Sequence, residues 1–254
     1  MLTISSTQNQ LFKQCRVWLE KSRKRKEDGV VLVEGLHEIE CAIRAGCKPL
    51  HWIQSTDFSE VALVKEQFPN CAAMAPALFD QLVIRKSGQV ALAVLGTPLE
   101  LPLSLNPKGC YLVVESVEKP GNLGAILRSA DAAGIEAVIL CDPRVDRYNP
   151  QVIRNSVGAV FSVPLWSAPH DEVWEAIQSA GLRLYSTYME NSQSFWEADL
   201  GSGCAVVIGT EHEGVSPFWK GKGQNVQIPM NGQVDSLNVS VAAALLVFEM
   251  ARRR

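Results

Sequence analysis

Three short segments in the second half of the sequence combine polar side chains with neighbouring apolar runs, a pattern typical of ligand sites. The first segment runs from Lys119 to Gly134 and contains Asn122 and Arg128. Arg128 follows Asn122 by about one and two-thirds helical turns and lies among alanine, isoleucine and leucine residues. An arginine in so apolar a helix indicates binding of a carboxylate or a phosphate. Asn122 is equally well explained as the N-cap of that helix.

The second segment, Ile208 to Ser216, follows an apolar run and has Glu211 between Gly209 and Gly214. The glycines permit a tight turn and the close approach of a ligand to the backbone. A plain surface turn explains the same residues, so both interpretations stay open.

The third segment, Val226 to Ser240, is a short strand and a glycine-containing loop that leads into an almost wholly apolar helix. Ser236, Asn238 and Ser240 stand at the start of that helix. Helix capping explains one of these polar residues but not all three. The loop is therefore a candidate binding segment held rigidly by a buried helix.

The elements that must position these segments alternate along the chain, which predicts an α/β fold with parallel sheets in both halves. In the first half we predict strands over 30–34, 51–53 and 90–95, with helices over 36–45 and 60–67. In the second half we predict strands over 110–114, 137–140, 182–187 and 205–208, with helices over 123–133 and 171–180. Residues 97–109 are rich in proline and lack periodicity, which predicts a linker between a domain over 1–96 and a domain over 110–254.

The composition is that of an ordinary globular protein, with 254 residues, 47% hydrophobic residues and a net charge of -3. No apolar run is long enough to span a membrane and no signal peptide is evident, so we expect a cytoplasmic protein. The seven cysteines and four histidines show no metal-ligand spacing, which predicts reduced thiols and no metal site. The cations between Lys21 and Lys26 form either a solvated helix face or a contact for a polyanion such as nucleic acid.

Three motifs together resemble the SpoU/TrmH family of the SPOUT superfamily. They are N-x-G-x-x-x-R-S-A over 122–130, I-G-x-E-x-x-G-V over 208–215 and I-P-M-x-G-x-x-x-S-L-N-V-S over 228–240. The segment Arg154-Asn-Ser-Val-Gly-Ala159 is similar to the R-x-S-x-G-A stretch of the same family. Members are RNA ribose 2′-O-methyltransferases that use S-adenosylmethionine. The resemblance implies an α/β methyltransferase domain with a deep trefoil knot, which forms homodimers.

The segment Val33-Glu-Gly-Leu-His-Glu-Ile39 is similar to a signature of L30e/L7Ae-like substrate-binding domains. The resemblance therefore implies that residues 1–96 bind RNA, and it favours RNA as the partner of the basic run. The RNA-binding residues expected on this basis are Lys21, Arg23, Lys24, Arg25, Lys26 and Arg128.

The family resemblance also assigns roles at the three motifs. The catalytic residues that it implies are Asn122, Arg128, Glu211, Ser236 and Asn238. The cofactor-binding residues that it implies are Thr187, Gly209, Ile228, Met230 and Leu237.

The leading hypothesis is 2′-O-methylation of a ribose in structured RNA, with 23S rRNA as the expected substrate and tRNA as the alternative. A non-catalytic RNA-binding assembly factor with the same fold is a second hypothesis. A small-molecule nucleotide-binding enzyme is a third, which the missing phosphate-binding loop disfavours.

Overall fold

A computed structural model describes residues 2–58, 63–85, 90–100, 102–210 and 213–254, and the chain divides into two compact units. The first unit is Met1–Leu99 with Arg147–Ser162, and the second is Glu100–Asp146 with Val163–Arg254. The division near residue 99 falls inside the linker predicted over 97–109. The predicted second domain differs from the second unit because residues 147–162 group with the first unit.

The helices and strands are numbered along the chain. The strands are β1 Leu2–Ile4, β2 Val30–Glu34, β3 Lys48–Ser55, β4 Asn70–Met74, β5 Ala91–Gly96, β6 Cys110–Glu115, β7 Ala137–Cys141, β8 Leu165–Ala168, β9 Arg183–Ser186, β10 Gln193–Ser194, β11 Cys204–Ile208 and β12 Gln224–Gln227. The α-helices are α1 Gln10–Glu20, α2 Ser22–Asp28, α3 Leu36–Arg44, α4 Pro76–Phe79, α5 Pro120–Ala133, α6 Pro150–Ser156, α7 Ala159–Ser162, α8 His170–Ser179 and α9 Val239–Arg252. Short 3₁₀ helices occupy Leu63–Gln67 and Pro217–Trp219.

The first unit contains a five-stranded sheet in the order β1-β4-β3-β5-β2. β1, β4 and β3 are parallel, whereas β5 runs antiparallel to both β3 and β2. The prediction of a parallel sheet in this half is therefore wrong. Ala91 to Leu95 are buried on both faces of β5, so this antiparallel strand has the continuous apolar run that is typical of parallel strands.

The second unit contains a seven-stranded sheet in the order β10-β12-β9-β11-β6-β7-β8. Each neighbouring pair in it is parallel, which confirms the α/β prediction for this half. β6, β7 and β11 are buried along their whole length. α8 packs into the core on the sheet through Val173 and Ile177, and α5 packs against α9.

Several predicted helix boundaries differ from the structure. The helix predicted over 60–67 is a 3₁₀ helix over Leu63–Gln67, and its predicted first residues lie outside the described ones. α5 begins at Pro120 rather than at Leu123, because proline is well suited to the first helical position. The predicted trefoil knot stays a prediction.

The seven cysteines are free thiols, and five of them are buried. The five buried cysteines act as small apolar side chains of the two cores, in agreement with the prediction of mostly buried thiols. Within the described ranges, no helix has the length and apolar character needed to cross a membrane.

Candidate functional site

A pocket of about 150 Å³ in the second unit lies where β6, β7 and β11 end. Ligands bind at this edge of parallel α/β sheets, since the loops after the strands meet there. The pocket draws on all three predicted segments. Its lining residues are Val117, Glu118, Lys119, Asn122, Arg144, Gly209, Thr210, Glu213 and Val239.

Asn238 joins the first and third segments. Its Oδ1 accepts hydrogen bonds from the backbone N–H of Ser240 at 2.9 Å and from the Ser240 hydroxyl at 2.6 Å, so Asn238 is the N-cap of α9. Its Nδ2 donates to Oδ1 of Asn122 at 3.2 Å. One amide therefore both caps a helix and holds the facing helix of the pocket.

The prediction that Asn122 is an N-cap is wrong. The N-cap of α5 is Lys119, and Pro120 occupies the first helical position. Asn122 is the third residue of the helix. Its side-chain oxygen is therefore available to accept the hydrogen bond from Asn238 instead of a backbone N–H of its own helix.

The second segment is a tight backbone turn. The backbone groups of Thr210 and Gly214 exchange two hydrogen bonds, of 3.0 and 3.2 Å. A Cβ atom at Gly209 would lie 1.9 Å from the carbonyl oxygen of Gly214, so only glycine fits there. Glu211, which the resemblance assigns to catalysis, lies outside the described residues.

Arg128 is exposed on α5, a helix whose buried residues are apolar or glycine. Among the described residues, no hydrogen-bond partner of its guanidinium is found, and it does not line the pocket. A guanidinium in this position can bind an anion that comes from outside the chain. Ser236 is also exposed, and its hydroxyl donates to Asp235 at 3.4 Å.

The residues that the resemblance assigns to the cofactor follow the ends of three neighbouring strands, β12, β9 and β11. Thr187 follows β9, and its backbone N–H and hydroxyl both donate to the carbonyl oxygen of Val207, at 3.0 and 3.1 Å. Ile228 and Met230 follow β12 and are half-buried. Leu237, in the loop before α9, is also half-buried. Gly209 is the member of this set that lines the described pocket.

Glu115, the last residue of β6, is a feature that the sequence analysis missed. It is 2% exposed, and its carboxylate accepts hydrogen bonds from the backbone N–H of Ser216 at 2.8 Å and from the indole N–H of Trp219 at 3.0 Å. The signal that could have found it is a single carboxylate at the end of a wholly apolar strand, where a buried charge needs several donors.

His170, at the start of α8, contacts Glu115 through Nε2 and Asp142 through Nδ1. The structure also brings the Cys141 thiol near Asp142 and His170, with ligand atoms within 4.8 Å of one another. Both ring nitrogens already face carboxylate oxygens. The contacts of His170 with the two carboxylates therefore account for this cluster, which no sequence pattern indicated.

The basic run of the first unit is a helix, α2, with mixed roles. Arg25 is 3% exposed, and its guanidinium donates to the backbone carbonyl oxygens of Trp18 and Leu19. The prediction that Arg25 contacts RNA is corrected on this geometry, because its charge is used to hold α2 against the end of α1. Lys21, Arg23 and Lys26 are exposed.

Two of the remaining cations in α2 take part in ion pairs along the helix. Arg23 pairs with Glu27 at 2.7 Å, and Lys24 pairs with Asp28 at 2.9 Å. Exposed pairs of this kind are weak and exchange readily with another anion. Asp28 also accepts a hydrogen bond from the Trp18 indole at 2.7 Å.

The Val33–Ile39 signature has a structural explanation in the first unit. The Glu34 carboxylate accepts hydrogen bonds from the backbone N–H groups of Ile84 and Arg85, at 2.6 and 2.8 Å. Gly35 adopts a φ of 102°, which glycine alone tolerates readily. The L30e-like identity of this part of the chain stays a prediction.

Comparisons with known proteins identify the family of the chain and relatives over nearly its whole length. The model of the SpoU rRNA Methylase family matches residues 109–248. The chain is 29% identical over 251 residues to the 23S rRNA (guanosine(2553)-2'-O)-methyltransferase RlmP of Bacillus subtilis, with 98% of this chain and 99% of the relative covered.

Two solved structures are similar over nearly the whole chain. An RNA 2'-O ribose methyltransferase is 38% identical, with a TM-score of 0.86 and coverage of 100% of this chain and 99% of the other. The SpoU methyltransferase AviRb from Streptomyces viridochromogenes, solved in complex with the cofactor AdoMet, is 28% identical, with a TM-score of 0.85 and coverage of 97% and 99%.

Proposed function

Because the chain belongs to the SpoU rRNA methylase family, we propose that it methylates the 2′-oxygen of one ribose in 23S rRNA, with S-adenosylmethionine as the methyl donor. The reaction class and the cofactor follow from the family and its relatives. The choice of 23S rRNA over tRNA is supported by relatives such as RlmP. Such a substrate places the enzyme with the ribosomes, in the cytoplasm.

The observation that carries the proposal is the pocket in which Asn122, Gly209 and Val239 meet, one from each family motif. We assign the turn at Gly209 to the cofactor because Gly209 and Thr210 line the pocket. Glycine is required at its start, since a Cβ atom there would overlap the backbone of Gly214. Thr187, Ile228, Met230 and Leu237 follow the neighbouring strands or precede α9, and they complete the proposed cofactor site.

When bound, S-adenosylmethionine supplies an electrophilic methyl group on its sulfonium. In the transfer, a bond forms between the ribose 2′-oxygen and the methyl carbon, the carbon–sulfur bond breaks, and the hydroxyl proton leaves. The protein must align the hydroxyl with the methyl group and stabilise the charge that develops on the oxygen.

Arg128 has the chemistry for the second task. A guanidinium stays protonated in proteins, so it is unsuited to the role of general base. We assign it to binding an RNA phosphate beside the target ribose and to stabilising the developing alkoxide. Glu211 or water accepts the proton. Ser236 and the Asn122–Asn238 pair complete the proposed catalytic set.

The exposed face of α9 supports a homodimer. Val241, Leu245 and Phe248 recur at helical spacing on this face and are 47%, 41% and 52% exposed, and Trp196 lies beside them at 57%. Exposed apolar clusters of this kind are typical of interfaces, and a two-fold dimer buries the same patch from both copies. We infer that two chains pair through α9 and Trp196.

The test of the proposed function is incubation of the purified protein with tritiated S-adenosylmethionine and, separately, ribosomal RNA and tRNA. Labelled nucleotides are mapped by their resistance to alkaline cleavage. We expect label on one ribose of 23S rRNA, abolished by Arg128→Ala and strongly reduced by Arg128→Lys, since lysine lacks the forked donor geometry.

The matched control is Arg183→Ala, a partly exposed arginine of the same unit that pairs with Asp199 and does not line the pocket. It should leave the labelling unchanged. Label on tRNA alone would show that the substrate is tRNA and not 23S rRNA. Failure to bind S-adenosylmethionine would favour the non-catalytic RNA-binding alternative, and full activity of Arg128→Lys would contradict the phosphate-positioning role.

A further inference from the structure

The buried carboxylate of Glu115 lies at the junction of the segments that form the pocket. Resting on the proposed function, we propose that Glu115 is a positioning residue of the methyl-transfer site. It holds the turn at Gly209 in a fixed position relative to the loop after β6, and this position sets the affinity for S-adenosylmethionine. It acts through Ser216 and Trp219 and does not line the pocket itself.

Three donors and the His170 imidazole converge on this one carboxylate. Oε2 accepts from the backbone N–H of Ser216 at 2.8 Å. Oε1 accepts from the Ser216 hydroxyl at 2.5 Å and from the Trp219 indole at 3.0 Å, and it also contacts Nε2 of His170. With its side chain 3% exposed, Glu115 has these contacts in place of water. Such a network favours one geometry, because breaking any of these bonds leaves the buried Glu115 carboxylate with one donor fewer.

The first side of the pocket continues directly from Glu115. Ser116 adopts a φ of 49° and donates its backbone N–H to the carbonyl oxygen of Cys141 at 2.9 Å, so the chain turns sharply at the end of β6. Val117 and Lys119 in that turn line the pocket. The position of Glu115 therefore fixes where this side of the pocket begins.

The second side of the pocket ends at Ser216. Gly209, Thr210 and Glu213 line the pocket, and Gly214 closes the turn through its two hydrogen bonds to Thr210. Ser216 is two residues beyond Gly214, and its backbone N–H is bonded to Glu115. The Glu115 carboxylate therefore anchors the end of this turn at Ser216. At the start of the same turn, only glycine fits at position 209.

His170 links the same carboxylate to the third side of the pocket. Its Nδ1 contacts Asp142, which follows β7 with a φ of 43°, and Arg144, two residues later, lines the pocket. The ring packs on Phe218 with a centroid distance of 4.8 Å. Glu115 and His170 therefore tie together the ends of β6, β7 and the segment after β11.

The test is Glu115→Gln, which keeps the size of the side chain but replaces one acceptor oxygen with a donor that faces other donors. We measure the Kd of S-adenosylmethionine by calorimetry, the KM for S-adenosylmethionine and the kcat with rRNA as the methyl acceptor, and the melting temperature. Because a displaced binding loop weakens every interaction made by its backbone, we expect the Kd and KM for S-adenosylmethionine to rise about tenfold or more, with a smaller change in kcat.

Two conservative variants leave the carboxylate in place and carry the test if Glu115→Gln does not fold. Ser216→Ala and Trp219→Phe each remove one donor to Oε1. Each should raise the Kd by a smaller factor. Added to Glu115→Gln, neither should have much further effect, since all three act through one network.

The matched control is Glu38→Gln, a carboxylate that is equally buried but pairs with Arg85 in the first unit. It should lower stability without changing the Kd. An unchanged Kd and KM in Glu115→Gln, or an equal rise in Glu38→Gln, would overturn the positioning role while leaving the proposed function intact. A wild-type protein that binds no S-adenosylmethionine would overturn both.

Discussion

Asn238 shows how closely capping and chemistry are combined in single residues of this site. Its oxygen satisfies the backbone N–H of Ser240, while its nitrogen binds Asn122 on the facing helix. Helix capping in isolation needs only the oxygen. The bond from Asn238 Nδ2 to Asn122 therefore explains why this N-cap is an amide and not the carboxylate of aspartate or the hydroxyl of serine.

We predict that two substitutions separate these roles. Asn238→Ala removes the two capping bonds from Ser240 and the bond to Asn122, and it should lower the free energy of unfolding by about 1 kcal/mol. Asn238→Asp keeps the capping oxygen and should preserve stability, because a negative charge also suits a helix N-terminus. Both should reduce methyl transfer, since neither donates to Asn122. Urea unfolding and labelling of RNA measure the two effects, and an active Asn238→Asp would show that the bond to Asn122 is dispensable.

Glu249, in the last turn of α9, carries a prediction about pH. Hydrogen bonds from Arg252 and then from Arg253 hold its pKa at about 2, below the ordinary 4.5, despite its burial. A carboxyl whose pKa is lowered in the folded state stabilises the fold above pH 4.5, and that contribution disappears as the pH falls towards 2.

Glu249→Gln should therefore lower the free energy of unfolding at pH 7 by at most about 3 kcal/mol, since the Arg252 side chain is largely exposed and screened by water. The difference from wild type should shrink between pH 5 and pH 2, as followed by urea unfolding. Glu175→Gln on the exposed face of α8 is the control and should have little effect at any pH. A difference that stays constant with pH would contradict the assignment.

Among the elements, buried strands were predictable from sequence and their directions were not. The buried strands β6, β7 and β11 were predictable because a strand covered on both faces has no polar positions and reads as a short apolar run. β5 looks the same from its residues but runs antiparallel. α2 is a helix although its sequence is a run of charges. Its one buried residue is Arg25, so the sequence shows no apolar periodicity that would predict a helix.

The exposed face of α9 carries the prediction at this scale. Phe248→Glu places a charge in the centre of the proposed dimer interface and should convert the dimer to a monomer without unfolding it, because Phe248 is already half exposed. Sedimentation measures the mass. Leu99→Glu, an exposed apolar residue of the first unit at 94%, is the control and should leave the mass unchanged. A wild-type monomer would exclude this interface.

Over the whole molecule, the three predicted segments meet at one candidate pocket because the parallel strands before them end at one edge of the sheet. Asn122, Gly209 and Val239 are far apart in the chain and meet at one pocket. Glu115 did not follow from sequence, since a single carboxylate has no periodicity and its donors, Ser216 and Trp219, lie about a hundred residues away. Long-range hydrogen bonds of this kind leave no local pattern.

The proposed RNA contact of α2 gives a prediction about binding. Replacing Lys21, Arg23 and Lys26 together with alanine should weaken RNA binding and reduce its salt dependence, by a slope of about 0.7 to 0.9 for each phosphate that the protein no longer neutralises. The Kd of S-adenosylmethionine should stay the same. Filter binding over a salt series checks this, and Lys108→Ala, an exposed lysine of the second unit, is the control. An unchanged salt slope would show that α2 is a solvated face.

The strand order of the second sheet also dictates when that sheet can be completed. β10 pairs with β12, and their residues Gln193 and Gln224 are 31 positions apart in sequence. β12 in turn pairs with β9, so β10 joins the sheet only after a later part of the chain has been inserted beside β9. On a translating ribosome, this edge of the sheet therefore waits for the emergence of β12. Strand pairings made this late and over such separations are slow to form, so the proposed cofactor loops after β9, β11 and β12 are expected to be among the last parts of the enzyme to become native.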